Sequence, residues 1–259
     1  MVTFLIFAVT GYAVVCVLIF LMQDGMLFFP RASDPQAVKQ LGRWERSIEN
    51  SEVTLFGWLI PARDPGNAPL VFYFGGNGED VSITAIELSN ETDANVILMN
   101  YRGYGASEGT PSEKALFSDA LIVYDTLIDT IHNGKVVAFG RSLGSGVSVY
   151  LASQRKIDAV VLTTPYDSIR AVAHGYFPWL PVSFLIRHPF DSLGLAPTLD
   201  IPALFIVAEH DNIIPTVHAQ NLADHWGGRS QWVSIKGATH NSIGGEDYWG
   251  SIRNFLKSL

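Results

Sequence analysis

Charge is scarce in this chain. Of its 259 residues only 16% are charged, against 48% hydrophobic, and acidic residues outnumber basic ones by 25 to 17. A net charge of −8 argues against nucleic acid as a partner, because a phosphate backbone needs a basic face. Cysteine is almost absent. Cys16 stands alone, so no intrachain disulfide forms and none reports a compartment. There is no H-E-x-x-H, no clustered Cys and His, no lysine at the Walker spacing and no G-x-G-x-x-G. No metal or nucleotide cofactor is therefore expected. Internal repeats and low-complexity tracts are also missing. The length suits one large domain with a full core, and hardly two.

What the chain does have is an apolar start. Mean hydropathy is +0.21, and the stretch "TFLIFAVTGYAVVCVLIFLM", Thr3 to Met22, carries no charge. Twenty apolar residues in a helix reach about 30 Å, the thickness of a bilayer's hydrocarbon core. A cleaved signal peptide is the competing reading. Its apolar region is usually about 7–15 residues, and no A-x-A-like site follows "LMQDGM". Residues 1–24 are expected to be a single-pass transmembrane anchor and residues 25–259 the catalytic domain, joined by a polar linker, "QDGMLFFPRASDP". Arg31, Lys39 and Arg43 follow the anchor, a slight lean toward a cytoplasmic domain.

From about Trp44 onward, short apolar runs alternate with amphipathic ones. Val53–Ile60, Leu70–Phe74, Asn95–Asn100, Lys135–Phe139, Ala159–Thr164, Ala203–Ala208 and Gln231–Ile235 read as strands, continuous and rich in β-branched residues as in sheets covered on both faces. Thr110, Pro111 and Glu113 form a capping box. Leu116, Ala120, Val123, Leu127 and Ile131 then share one helical face. Trp249, Ile252, Leu256 and Leu259 do the same near the end. This alternation predicts an α/β fold, a mostly parallel eight-stranded sheet flanked by helices. Chemistry in such sheets gathers at the carboxyl ends of the strands.

Two stretches read G-x-S-x-G: "GASEG" around Ser107 and "GRSLG" around Ser142. Ser142 follows a strand directly and precedes a run of small and apolar residues that reads as a helix. A serine on so sharp a turn has its hydroxyl exposed, and flanking glycines let neighbouring backbones approach. Ser107 is followed by "EGTPSE" and reads as a serine in an open turn. A serine hydroxyl needs a base, and the base an orienting acid. Seven histidines are available: His132, His174, His188, His210, His218, His225 and His240. "ALFIVAEHD" leaves one late strand into Asp211, and "QWVSIKGATH" leaves the next into His240. Both stand at carboxyl ends in the order Ser, Asp, His. Glu209 lies too near its strand end, and His210 precedes the acid. Oxyanion donors are expected at the N–H groups of Leu143, after the nucleophile, and Asn77, in the glycine-rich "FGGNG".

These segments in order — "LFFPR", "FGGNGED", "NYRGYGASEGTPSE", "GRSLGSGV", "TPYDS", "AEHDNIIP" and "GATHN" — resemble the α/β-hydrolases over about residues 25 to 257. Within them the chain resembles single-domain serine hydrolases with an N-terminal membrane anchor, a branch with lysophospholipase-like, peptidase-like and palmitoyl-protein deacylase members. The resemblance implies Ser142, Asp211 and His240 as triad, Asn77 and Leu143 as oxyanion donors, and Ser107 as part of a family loop. The family usually places histidine in the oxyanion loop where this chain has Gly75. A small cap is expected at about 166–199. Phe177, Trp179, Leu180 and Phe184 either line an acyl pocket there, touch lipid, or serve as ordinary helix packing. A small cap beside a membrane suits an acyl ester or thioester from a lipid, a small molecule or an acylated protein. A peptidase with the same triad and a catalytically silent membrane-tethered interaction protein are the alternatives.

Overall fold

The computed structural model describes residues 1–259 apart from Ser51, His132, Asn133 and the side chain of Ile131. Thus His132 as a candidate base, and Ile131 on its helical face, lie outside the described residues. Strands run at β1 (Glu45–Glu49), β2 (Thr54–Ile60), β3 (Leu70–Phe74), β4 (Asn95–Met99), β5 (Val136–Arg141), β6 (Ala159–Thr163), β7 (Ala203–Ala208) and β8 (Ser230–Ile235). Helices are α1 (Val2–Leu27), α2 (Pro35–Leu41), α3 (Val81–Glu91), α4 (Glu113–Ile131), α5 (Leu143–Gln154), α6 (Ile169–Tyr176), α7 (Val182–Leu185), α8 (Thr216–Asp224) and α9 (Glu246–Lys257).

The strands form one sheet in the order β1-β2-β4-β3-β5-β6-β7-β8. β2 is antiparallel to both its neighbours, and every other pairing is parallel. Apolar residues alternate between two cores. Leu70, Phe72 and Phe74 of β3 join Val136 and Ala138 of β5 on one face, while Val71, Tyr73, Val137 and Phe139 face the other. That is the period-two pattern of a sheet buried on both sides. β3 lies between β4 and β5, so the connections diverge on either side of it. A crevice therefore opens at the carboxyl ends there.

Four features differ from the sequence reading. β1 was not among the seven apolar runs: in "ERSIE" only Ile48 is buried, so an edge strand with one inward residue shows no apolar run. Helix α4 begins at Glu113, not at Pro111. Ser112 is its cap, accepting from Ala115 N–H at 3.2 Å, because the first turn starts where that hydroxyl reaches an unpaired amide. The first part of the "linker" is helical, since α1 continues without a break to Leu27. Along its 26 residues α1 buries only Cys16, and it is long and apolar enough to cross a membrane. Finally, Ser107 is not in an open turn but buried, as described below.

Candidate active site

Ser142 sits between β5 and α5 at φ 51°, ψ −118°. This backbone region is unfavourable for a residue with a Cβ. It is held by the Ser142 N–H donating to Thr163 O of β6 at 2.9 Å, and by small residues all round. A Cβ on Gly140 would overlap the Gly144 carbonyl, and one on Gly144 would overlap the carbonyls of Phe74 and Gly75. The two glycines of "GRSLG" thus let the start of α5 press against β5 and β3 together.

His240 Nε2 lies 2.9 Å from Ser142 Oγ. The other ring nitrogen, Nδ1, lies 2.8 and 3.0 Å from the two carboxylate oxygens of Asp211. The side chains of His240 and Asp211 are only 6% and 2% exposed, so water competes little for these bonds. Asp211 Oδ1 also accepts from the N–H groups of Ile213 and Ile214 at 2.9 and 2.8 Å. The carboxylate is therefore fixed by its own turn before it meets the histidine. The three residues expected from strand order meet in one chain of hydrogen bonds. Of the competitors, Glu209 accepts from Gly237 N–H, and His210 points outward with 67% of its side chain exposed. A second acid–histidine pair, Asp167 with His218 at 2.9 Å, was missed in the sequence. Among the described residues no serine hydroxyl bonds that histidine.

The loop after β3 passes directly beside the serine, with an ideal Gly76 Cβ 3.7 Å from Ser142 Cβ. Its conformation is clamped by groups scattered through the chain. Asn77 O accepts from Phe29 N–H at 2.9 Å and from Tyr104 O–H at 2.6 Å, and its side chain donates to Leu27 O. Tyr101 O–H donates to Gly75 O at 2.9 Å. Glu79 accepts from Gly76 N–H and Tyr73 O–H, both at 2.7 Å. Burial pushes the Tyr104 phenol up to about 12 and raises those of Tyr73 and Tyr101 well above their usual value. All three remain donors at neutral pH. Among the described residues the N–H groups of Asn77 and Leu143 find no protein acceptor, and both residues line the cleft at Ser142. Gly75 leaves no room for the family's histidine, since even a Cβ would come within 2.7 Å of Val81. Glu79 does the bracing instead.

That cleft has a volume of about 620 Å³, and Met26 and Leu27 of α1 share its wall with α6 and the loop after β7. A smaller apolar cavity of about 170 Å³ adjoins it between α1 and the cap. Of the four cap residues whose placement the sequence left open between a pocket, lipid and helix packing, Phe177 and Leu180 line this second cavity. Trp179 and Phe184 line neither; they are 55% and 90% exposed. Prolines at 178 and 181 keep α6 and α7 short, and the turn between them alternates inward and outward side chains.

Ser107 is elsewhere. Its hydroxyl accepts from Phe56 N–H at 2.9 Å and donates to Asn100 O at 3.0 Å, tying the loop after β4 to β2. Ser107→Ala leaves the Phe56 N–H buried and unpaired. It is expected to cost about 1–3 kcal/mol of stability without touching the Ser142–His240–Asp211 chain or its reactivity. Thermal denaturation and a rate assay on the same sample check both.

Comparison with known proteins agrees with this geometry. A family model described as the alpha/beta hydrolase fold matches residues 69–194. The uncharacterized protein Rv2307c of Mycobacterium tuberculosis is 31% identical over 254 residues, covering 93% of this chain and 90% of its own. The chain belongs to the α/β hydrolase family. This hydrolase is also 33% identical over 227 residues to an uncharacterized membrane protein of Saccharomyces cerevisiae, YNL320W, covering 84% of this chain and 75% of the yeast one. Over 173 residues it is 31% identical to the lysophosphatidylserine lipase ABHD12 of Rattus norvegicus, covering 58% of this chain but only 43% of that protein. Among solved structures, the Pyrococcus furiosus esterase Pf2001 superposes with a TM-score of 0.70 at 22% identity, covering 90% and 99% of the two chains. That likeness is one of fold.

Proposed function

We propose that this hydrolase cleaves carboxylic esters or thioesters of acyl chains through an acyl-enzyme on Ser142. The observation that carries the reading is the unbroken chain from Ser142 Oγ through His240 to Asp211, at 2.9 and 2.8 Å. With the imidazole proton held on Nδ1 by Asp211, Nε2 accepts the serine proton as Oγ attacks the carbonyl carbon. The resulting oxyanion is received by the N–H groups of Leu143 and Asn77. His240 then passes the proton to the leaving oxygen or sulfur, the C–O or C–S bond breaks, and the acyl group stays on Oγ. Water, deprotonated by His240, attacks the acyl-enzyme in the second half and restores the serine.

The surroundings support this substrate class. An apolar cavity opens off the cleft, and α1 forms part of its wall. A related protein is named a lysophosphatidylserine lipase. α1 serves as the membrane anchor, and Arg31, Lys39 and Arg43 beyond it favour a cytoplasmic domain. Lipid esters, small acyl esters and acylated proteins all present the required carbonyl.

The test is a substrate series with the full chain in detergent: p-nitrophenyl esters from acetate to palmitate, acyl thioesters, and peptide p-nitroanilides. Turnover of esters and thioesters, rising with chain length, is expected. Cleavage of anilides alone would favour the peptidase reading. Failure on all acyl substrates by folded enzyme would overturn the proposal.

A further inference from the structure

The cap carries twelve consecutive residues without a charge, Gly175 to Ile186, "GYFPWLPVSFLI". Tyr176 turns to the loop after β7, donating to Asn212 O and Ile213 O, while Phe177 to Ile186 run along α1. Tyr12 O–H donates to Trp179 O at 2.8 Å, and Gln23 donates to Leu185 O at 3.1 Å. Between these points Cys16 packs with Leu180 and Val182. From Tyr12 to Gln23 is about 16 Å of helix, roughly half the hydrocarbon thickness of a bilayer.

The two apolar runs also end at one level. The uncharged run of α1 stops at Gln23, and that of the cap at Ile186. Immediately beyond, Asp24 pairs with Arg187 at 3.0 Å and with His188 at 2.8 Å. This is where a water boundary belongs on both segments. Below it the cap suits hydrocarbon. Trp179 and Phe184 face outward, the first more than half exposed and the second almost wholly so. The backbone is largely closed on itself: Phe177, Leu180, Val182, Phe184, Leu185 and Ile186 donate their N–H groups to nearby carbonyls, while Pro178 and Pro181 have none to donate. Unpaired backbone groups are costly in hydrocarbon, and these bonds together with the packing on α1 lower that cost.

We infer that the cap segment Phe177–Ile186 is immersed in the bilayer beside α1, and that the cavity between them receives the acyl chain of a lipid directly from the hydrocarbon. The cavity has the right connections. Ile19, Gln23, Met26 and Leu27 of α1 form one side of it, and Met26 and Leu27 also border the cleft that holds Ser142. Its volume of about 170 Å³ is near that of apolar cavities known to take a six-carbon ring, so it holds a segment of one chain, not a bundle of two. The membrane helix is thus part of the substrate site as well as an anchor. The substrate is a single acyl chain whose ester reaches Ser142 at the water boundary. This inference rests on the acyl-ester reading above, and the two fail in different experiments.

Immersion is tested without turnover. The full chain is reconstituted in vesicles of phosphatidylcholine brominated in the acyl chains, and tryptophan quenching is compared between wild type and Trp179→Phe. Five other tryptophans remain in the variant as a common background. A quenchable component lost with Trp179 is expected; identical quenching in both proteins overturns the immersion. The acyl site is tested by labelling Ser142 in unbrominated phosphatidylcholine vesicles with hexadecyl and with methyl fluorophosphonate. Ile19→Trp, which fills the cavity, is expected to lower the ratio of long-chain to short-chain labelling rates at least about tenfold. An unchanged ratio overturns the acyl site even if immersion holds. No labelling of folded wild type by either probe would instead remove the acyl-enzyme reading on which the site depends.

Discussion

Ser142→Ala is expected to lower kcat for an acyl ester by about 10⁴- to 10⁶-fold, with His240→Ala close behind. The two act as one unit. Every step of His240 works through Ser142, from which its Nε2 is 2.9 Å away: it takes the serine proton, then serves the leaving group and the water at the acyl group that Ser142 carries. The double variant should therefore be hardly worse than either single one. What survives is the contribution of the oxyanion donors and of binding, which neither substitution touches. Both side chains are buried, but alanine is smaller and the groups left behind keep other partners: His240 still pairs with Asp211 in Ser142→Ala, and Asp211 still accepts from Ile213 and Ile214 in His240→Ala, so the fold should persist. Steady-state kinetics of the three variants, with circular dichroism on the same samples, check this. Multiplying losses in the double variant would mean that serine and histidine work independently.

Gly144→Ala sets two effects against each other. Gly144 is the second residue of α5, and alanine in a helix is favoured over glycine by about 1 kcal/mol. The new methyl group, however, would overlap the Phe74 carbonyl and approach Gly75 O to 2.7 Å. Both atoms are backbone, one in a central strand and one in the loop that carries Asn77, so no rotamer relieves the contact. Overpacking of this kind costs about 1–3 kcal/mol and occasionally more. Here a whole helix must shift from two strands, and a net loss of about 3 kcal/mol is expected, lowering Tm by about 6–12 °C. Moving the Asn77 N–H away from the oxyanion should slow acylation by about 10²-fold as well. Gly175→Ala is the control. Nothing lies within 4 Å of its ideal Cβ, and it too is in a helix, so it should be neutral or slightly stabilising. A Tm for Gly144→Ala at or above the wild-type value would mean that the elbow is not closely packed.

The two substitutions also mark what the sequence could reveal. β3 and β7 have the limits read from their apolar runs, Leu70–Phe74 and Ala203–Ala208, because strands buried on both faces announce themselves without reference to anything distant. Ser142, Asp211 and His240 were legible for a related reason. Ser142 and Asp211 each follow such a strand, His240 follows the more exposed β8, and the carboxyl ends of parallel strands share one edge of the sheet. β1 was not legible, since its pattern is that of a solvated edge. The bracing of the oxyanion loop was equally hidden. Tyr101, Tyr104 and Phe29 reach Gly75 and Asn77 from 26, 27 and 48 residues away, and nothing local to a tyrosine states what it will donate to. The cap shows the limit most plainly. Apolar content at Phe177 to Phe184 signals burial of some kind, but which of these side chains turn toward the cavity depends on two prolines and on α1, some 160 residues earlier in the chain.

The most direct measurement is the position of a covalent adduct. The full chain in detergent is treated with a fluorophosphonate, digested, and the modified peptide sequenced by mass spectrometry, with Ser142→Ala and Ser107→Ala alongside. A single adduct on Ser142, abolished in Ser142→Ala and undiminished in Ser107→Ala, is the expected result. An adduct on another serine, or folded wild-type protein that takes no label at all, would contradict Ser142 as the nucleophile of this hydrolase.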